Sequence, residues 1–480
     1  MNNRQLDCQN EKGKTMKRGE KMGTARVSCA KALVALLVAA AAFAAEAVTV
    51  NSVAALQGEI ASATVGKEIV IAAGTYNLAD ETAMNAEGHL YVAIKKITLR
   101  GATGNPADVV LVGSDNRILF MANGTSGCSI SGITFKNGYR SSGRGGAINF
   151  RGSNDETTVS NCVFVGNKAV DGGAVADYYT YNAAGSNRGG IFVDCLFTNN
   201  TATGTGGAGY NISLFQRCTF LDNKAATYGA TVSASLSACT NRYNVATGNY
   251  SECNVTYAQD CLFEEMESSF AAFTSCGFNR CRFRNATSGS LFATQLHMTN
   301  SIVENCSPAE GKYVYLVYNM SGMEMINCNV VSNAFRYFKQ GGSNVRNGHV
   351  VNSLFYGNKY GNAVVDMDAN VTSCVAGFTN CVYAVAPANE AEYAPGENNF
   401  NYHGQDFNPG FVGAEKDPDN PYALSLKSPL TTTYHGLVMD WMADATDIRG
   451  AGYPRLREGK VDIGCYQCWL KPRGTYLTFQ

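Results

Sequence analysis

Tryptophan is almost missing from this 480-residue chain, with 2 residues, and charged side chains make up only 16% of it. Ordinary globular proteins carry roughly 25% charged residues, so surfaces here must be made by other polar groups. Charge of either sign is not in excess: the formal net charge is -1, and the body of the chain has no long basic or acidic run. The electrostatic footprint that a phosphate backbone demands is therefore absent, which argues against a nucleic-acid partner. Proline is scarce before residue 385, since eight of the ten prolines follow it. Helical repeats are excluded by the lack of 3.6-residue apolar periodicity. Gly-x-Ser-x-Gly, Walker and dinucleotide fingerprints are also missing, as is the calcium-binding nonapeptide Gly-Gly-x-Gly-x-Asp.

The longest apolar run, Ala32 to Ala44, is 13 residues long, shorter than the ~20 needed to cross a bilayer. Lys17, Arg18, Lys21 and Arg26 precede it and Ala45-Glu46-Ala47 follows, the layout of an export signal with a small-residue cleavage site. Residues 1–47 are read as a signal peptide, with 1–15 as an upstream start extension and Met16 or Met22 as alternative initiators. The expected product is secreted or at the cell surface, with no transmembrane segment in the mature chain.

What is abundant is glycine, 50 residues, and cysteine, 17. Two cysteines, Cys8 and Cys29, fall in the leader and 15 remain. Their placement is periodic. Steps of the form Cys-x-Phe begin at 133, 162, 195, 218, 239, 261, 281, 301, 328, 353 and 381, with Cys at most of them. First and third residues such as Cys162 and Phe164, Cys195 and Phe197, or Cys218 and Phe220 share a face in a strand, and that face is predicted inward. Thiols at one register of stacked strands point the same way, whereas a disulfide needs convergent side chains, so a buried thiol ladder is expected. Cys276 with Cys281, Cys374 with Cys381, and Cys465 with Cys468 are the close pairs left open as bridges.

Asn follows five residues after the first position at 167, 200, 223, 244, 333 and 358. Asn tolerates left-handed backbone and its amides can pair along an array, so it is predicted to mark a corner. Gly145-Gly146, Gly172-Gly173 and Gly206-Gly207 supply a further turn. A unit of two dozen residues cannot bury its own apolar face, so units must stack. The predicted fold is all-β: a single-stranded right-handed parallel β-helix, or solenoid, over 48–385. An N-terminal helical cap is expected from Val53, Leu56 and Ile60, which share a helical face behind Asn51 or Ser52. Residues 386–480 form a Pro-rich C-terminal cap- or anchor-like segment.

The repeats Gly145–Ile148, Gly172–Val175 and Gly206–Gly209, with Phe-x-x-Asn at Phe164, Phe197, Phe220 and Phe355, resemble those of chlamydial polymorphic outer membrane proteins. More broadly the chain resembles the pectin-lyase-like right-handed parallel β-helix superfamily. The former family carries a C-terminal barrel for which too few residues follow 385. Asp462-Ile463-Gly464-Cys465-Tyr466-Gln467 is similar to the closing segment of many secreted bacterial β-helix proteins.

The superfamily contains many polysaccharide lyases and hydrolases. A lyase needs a uronate neutralised, commonly by Ca²⁺, and a base above the proton removed. Asp366 and Asp368, on one side of a strand, are the best carboxylate pair for a metal, against a solvated turn beside Asn370. Glu264-Glu265 reads as a charged corner, and His89, His297, His349, His403 and His435 as scattered surface or turn residues. Tyr178, Tyr179 and Tyr181 interrupt the longest interval and read either as a sugar- or protein-contacting loop or as packing on the wall. No catalytic, cofactor or metal residue is assigned. The expected function is an adhesin-like monomeric rod binding extracellular polysaccharide or another surface component; the alternative is a polysaccharide lyase or glycoside hydrolase working in a groove along the helix, with Ca²⁺ only in the lyase case.

Overall fold

The computed structural model describes residues 47–94, 96–152, 156–178, 189–248, 250–273, 277–292, 296–309, 315–317, 323–334, 337–339, 348–360, 363–364, 376–385 and 397–468. The expected signal segment, Asp366, Asp368, Cys276, Cys374 and residues 179–181 lie outside them.

Each coil begins with a short strand, turns at one residue, and continues in a second short strand. Those second strands form a 14-stranded sheet in strict chain order from Gly74–Asn77 to Phe400–Asn401, every pairing parallel. The other strands of the coils merge into a 28-stranded sheet. This is a parallel β-helix, and parallel crossovers within one sheet are right-handed in ~98% of cases.

The period-two pattern places its apolar face as expected. Phe164, Phe197 and Phe220 are fully buried and stack ring on ring, with centroids 4.7 Å and 5.1 Å apart. Phe192 and Phe215 from the facing wall meet them edge to face, Phe215 with Phe220 at 5.0 Å and 83°. Aromatic pairs favour both geometries, so stacking runs along the axis and T-contacts cross it. Asn241 takes the place of Phe in this row, between Phe220 and Phe263.

Twelve cysteines, from Cys128 to Cys468, are buried and free, Cys465 among them. Ladder thiols also donate to the carbonyl two residues back, Cys162 to Ser160 at 3.2 Å and Cys195 to Val193 at 3.3 Å. Ser301 and Ser353 stand where the row lacks Cys and make the same bond, to Thr299 at 2.8 Å and Val351 at 2.9 Å. A hydroxyl substitutes for a thiol here because that local carbonyl is available to either.

Asparagine behaves differently from expectation. The ladder residues Asn167, Asn200, Asn223 and Asn244 are buried, and the left-handed residue is the one before each: Gly166, Asn199, Asp222 and Tyr243, at φ of 67°, 55°, 55° and 55°. A second left-handed residue precedes each ladder Cys, as at Asn161, Asp194 and Arg217. Two such corners bracket the three-residue strand and set the coil's bend. Of the paired glycines, the first supplies the positive φ, 57° at Gly172, and the second the room: a Cβ on Gly173 would sit 2.2 Å from the Gly207 carbonyl oxygen.

At the N-terminal end the helix Val53–Ala61 buries Val53, Leu56 and Ile60 in the solenoid core. Ser52 is its cap, its hydroxyl accepting from Ala55 N at 3.2 Å. At the other end Phe400–Asn401 adds to the sheet beside Val382–Tyr383. The following residues run back along the outer wall, where Ile302, Val331 and Leu354 point outward and are covered by Leu430, Ile448, Ile463 and Tyr466. Asn352 grips the backbone of Leu437, accepting from its N at 2.6 Å and donating to its O at 2.8 Å.

Candidate functional site

Where this C-terminal segment meets the wall, a groove of about 840 Å³ opens. Its floor is built from the strands Tyr250–Gln259, Gly277–Asn279, His297–Thr299 and Glu324–Ile326, stacked in parallel. Alternation decides which side chains reach solvent: Ala258, Phe278, Met298 and Met325 point into the core, so the residues on either side point out. The register then sets Tyr257, Gly277, His297 and Glu324 in one row, and Asn279, Thr299 and Ile326 in the next.

Gly277 leaves a notch between Tyr257 and His297; even a Cβ there would come 3.2 Å from Tyr257 Cδ2. Tyr257 is 42% exposed, and Trp441 of the C-terminal segment, at 41%, lines the groove with it. His297 Nδ1 lies 3.7 Å from Glu324 Oε2, both side chains exposed. Arg280, at the corner, holds Asp260 bidentately at 2.6 and 2.7 Å, which raises its already high pKa. Asn279 Oδ1 is buried at the floor and has no hydrogen-bond partner among the described residues. Two aromatic faces beside a row of amide, hydroxyl, imidazole and carboxylate groups can take a ligand that is polar at its edges and apolar on its faces.

Several expected features sit elsewhere. Glu264 is no exposed corner: 6% exposed, it lies on the strand Leu262–Glu264 between Arg242 and Arg284, one on each neighbouring coil. Arg242, Glu264, Arg284 and Glu304 form an alternating charge row across four strands. Glu265 does take the corner, at φ 54°. His89 is not a surface residue but is 2% exposed, its Nε2 3.0 Å from Asp115 Oδ1. Tyr178 is exposed, with the Arg151 guanidinium 5.5 Å from its ring centroid. Among the described residues no three His, Cys, Asp or Glu side chains gather as a metal site. Aligning the repeats finds the groove row, since Tyr257, Gly277, His297 and Glu324 each precede a ladder position by four. No sequence signal brings Trp441 to it.

No protein-family model matches the chain, and no curated protein matches it by sequence. Similar solved structures include the PL6 family alginate lyase AlyGC, at 16% identity and TM-score 0.38, covering 69% of this chain and 51% of that one. A mannuronic acid specific polysaccharide family 6 lyase from human gut microbiota shows 12% identity and TM-score 0.32, with 72% and 87% covered. The A-module of Azotobacter vinelandii mannuronan C-5 epimerase AlgE4 shows 12% and 0.27, with 68% and 95% covered. The chain spans about half the length of AlyGC. The likeness is one of fold alone, and the ladders and strand pairing above define this chain as a parallel β-helix protein.

Proposed function

We propose that the chain is an exported, adhesin-like β-helix that binds an extended polysaccharide in the groove at Tyr257 and Trp441. The observation that carries the reading is that these two exposed aromatics line one groove together with a row of polar side chains. Sugar rings offer an apolar C–H face for aromatic stacking and hydroxyls for Asn279, Thr299, His297 and Glu324. A groove floored by strands repeating every coil suits a polymer better than a compact ligand, because successive coils offer equivalent rungs about 4.8 Å apart.

A second reading, a polysaccharide lyase, is favoured by His297 beside Glu324, since an imidazole with a carboxylate 3.7 Å away can serve as the base that β-elimination requires. Hydrolysis is less well served. It calls for two carboxyl groups flanking the bond, and Glu324 is the one carboxylate among the described groove residues.

Acidic and neutral polysaccharides incubated with the full chain, with Ca²⁺ or with chelator, test both. Retention of a polymer by wild type, weakened about tenfold or more in Tyr257→Ala and Trp441→Ala, is expected. Equal retention by those variants sinks the groove. Falling polymer length, abolished by His297→Ala, selects the lyase; unchanged length with retention selects the binding protein.

A further inference from the structure

One corner away from the groove, on the other wall of the same coils, a smaller recess of about 440 Å³ lies between the charge row and the C-terminal segment. Three guanidiniums line it, from Arg282, Arg284 and Arg449, against a single carboxylate, that of Asp419. Two of the three are already engaged. Arg284 Nε is 2.5 Å from Glu264 Oε1, and Arg449 Nε bonds both oxygens of Asp447, at 3.2 and 3.0 Å.

Arg282 is the exception. It forms no ion pair among the described residues, although the Glu304 carboxyl acts on it through space; its hydrogen bond is to the neutral amide oxygen of Asn420, and the ring of Tyr466 lies 5.9 Å from it. A half-buried guanidinium with five donors and one neutral acceptor retains the capacity to bind an anion bidentately. Leu262 and Ile448 line the recess, and Tyr453, 37% exposed, is backed by the Arg449 guanidinium at 4.0 Å, which fixes the ring.

We propose that this recess is a binding site for an anionic sugar residue, with Arg282 taking the carboxylate or sulfate and Tyr453 the face of the ring. Asp419, exposed at the mouth, disfavours a ligand whose charge extends outward, so the anionic group enters first and the neutral edge of the sugar faces Asp419. The site stands apart from the groove at Tyr257 and does not depend on it.

The test is calorimetry on the full chain with tetragalacturonate, its methyl-esterified neutral counterpart, a sulfated tetrasaccharide and inorganic sulfate. Binding of an acidic tetrasaccharide, weakened about tenfold or more by methyl esterification and by Arg282→Gln at unchanged melting temperature, is expected. Preference between the uronate and the sulfated sugar identifies which anion the site takes. Because Asn420 docks on Arg282, a second measurement leaves the protein unmutated: phenylglyoxal labelling mapped by mass spectrometry, with Arg282 protected by the acidic tetrasaccharide and not by the neutral one. That footprint reads the recess itself even if the groove is also occupied. Equal labelling of Arg282 with and without the acidic sugars overturns the proposal, as does protection by inorganic sulfate that the sugars do not exceed.

Discussion

Asn200 and Asn223, from successive coils, are joined inside the solenoid: Asn200 Nδ2 lies 2.9 Å from Asn223 Oδ1, and that same oxygen accepts the Asn200 backbone N–H at 3.1 Å. Asn223 in turn donates to Phe197 O at 3.0 Å and to Asn244 Oδ1 at 2.9 Å. Every amide is satisfied only because its neighbours are present, so the row is stable as a row.

Replacing Asn223 with Ala should therefore cost more than one hydrogen bond. It leaves the Asn200 N–H and one hydrogen of the Asn200 amide without their acceptor in the interior and takes a donor from the Phe197 carbonyl, each unsatisfied buried group costing ~1–3 kcal/mol. A loss of at least about 2 kcal/mol is expected in urea unfolding. A loss below about 0.5 kcal/mol would show that water or a backbone shift replaces the ladder.

Asn241 predicts the reverse. It is fully buried where the Phe stack is interrupted, and neither its Oδ1 nor its Nδ2 has a partner among the described residues. Its neighbours along the row, Phe220 and Phe263, are apolar. Asn241→Leu removes the desolvated amide and fills the same place, so a gain of ~1–3 kcal/mol is expected. A destabilised variant would mean that the site holds a water that the amide binds.

These two asparagines show how far the sequence reaches. The spacing Cys-x-Phe-x-x-Asn marks strand, inward face and ladder because all three obey a period within one coil. The pattern points to Asn itself as the left-handed corner, one position late, since Asn favours both roles and only the coil geometry separates them. Glu264 reads as exposed because its partners Arg242 and Arg284 lie a coil away on either side. Of the groove, the repeat marks the floor row of Tyr257, Gly277, His297 and Glu324, while Trp441 arrives from a segment that has no repeat.

The thiol row makes a chemical prediction. Burial pushes the thiols of Cys306, Cys328 and Cys381 up to about 12 and that of Cys195 well above its ordinary value. A protonated, water-excluded thiol is a poor nucleophile. In native protein at pH 8, a maleimide should leave the peptides carrying Cys162, Cys195, Cys218 and Cys328 unmodified, and should label all of them in guanidinium. Native labelling within minutes would show that the coils open locally. An unfolded thiol titrates near pH 8.5, so the stability these groups contribute is fully present below that pH and is lost as pH rises through it toward the folded values.

Glu304 ends the charge row and makes a prediction of opposite use. Burial raises its carboxyl above the ordinary range, more than the guanidiniums of Arg282 and Arg284 lower it. For an acid with a raised folded pKa, both states are protonated below the unfolded value, and no penalty is felt. As pH climbs past the unfolded value toward the folded one, the unfolded state ionises first and the native state loses stability. Glu304→Gln resembles the protonated side chain and escapes this loss. Its melting temperature should exceed that of wild type at pH 7 and match it at pH 3, with the difference opening from about pH 4 upward. A variant less stable than wild type at pH 7 and equal to it at pH 3 would reverse the assignment, making Glu304 a net stabilising partner of Arg284 across the strand pair.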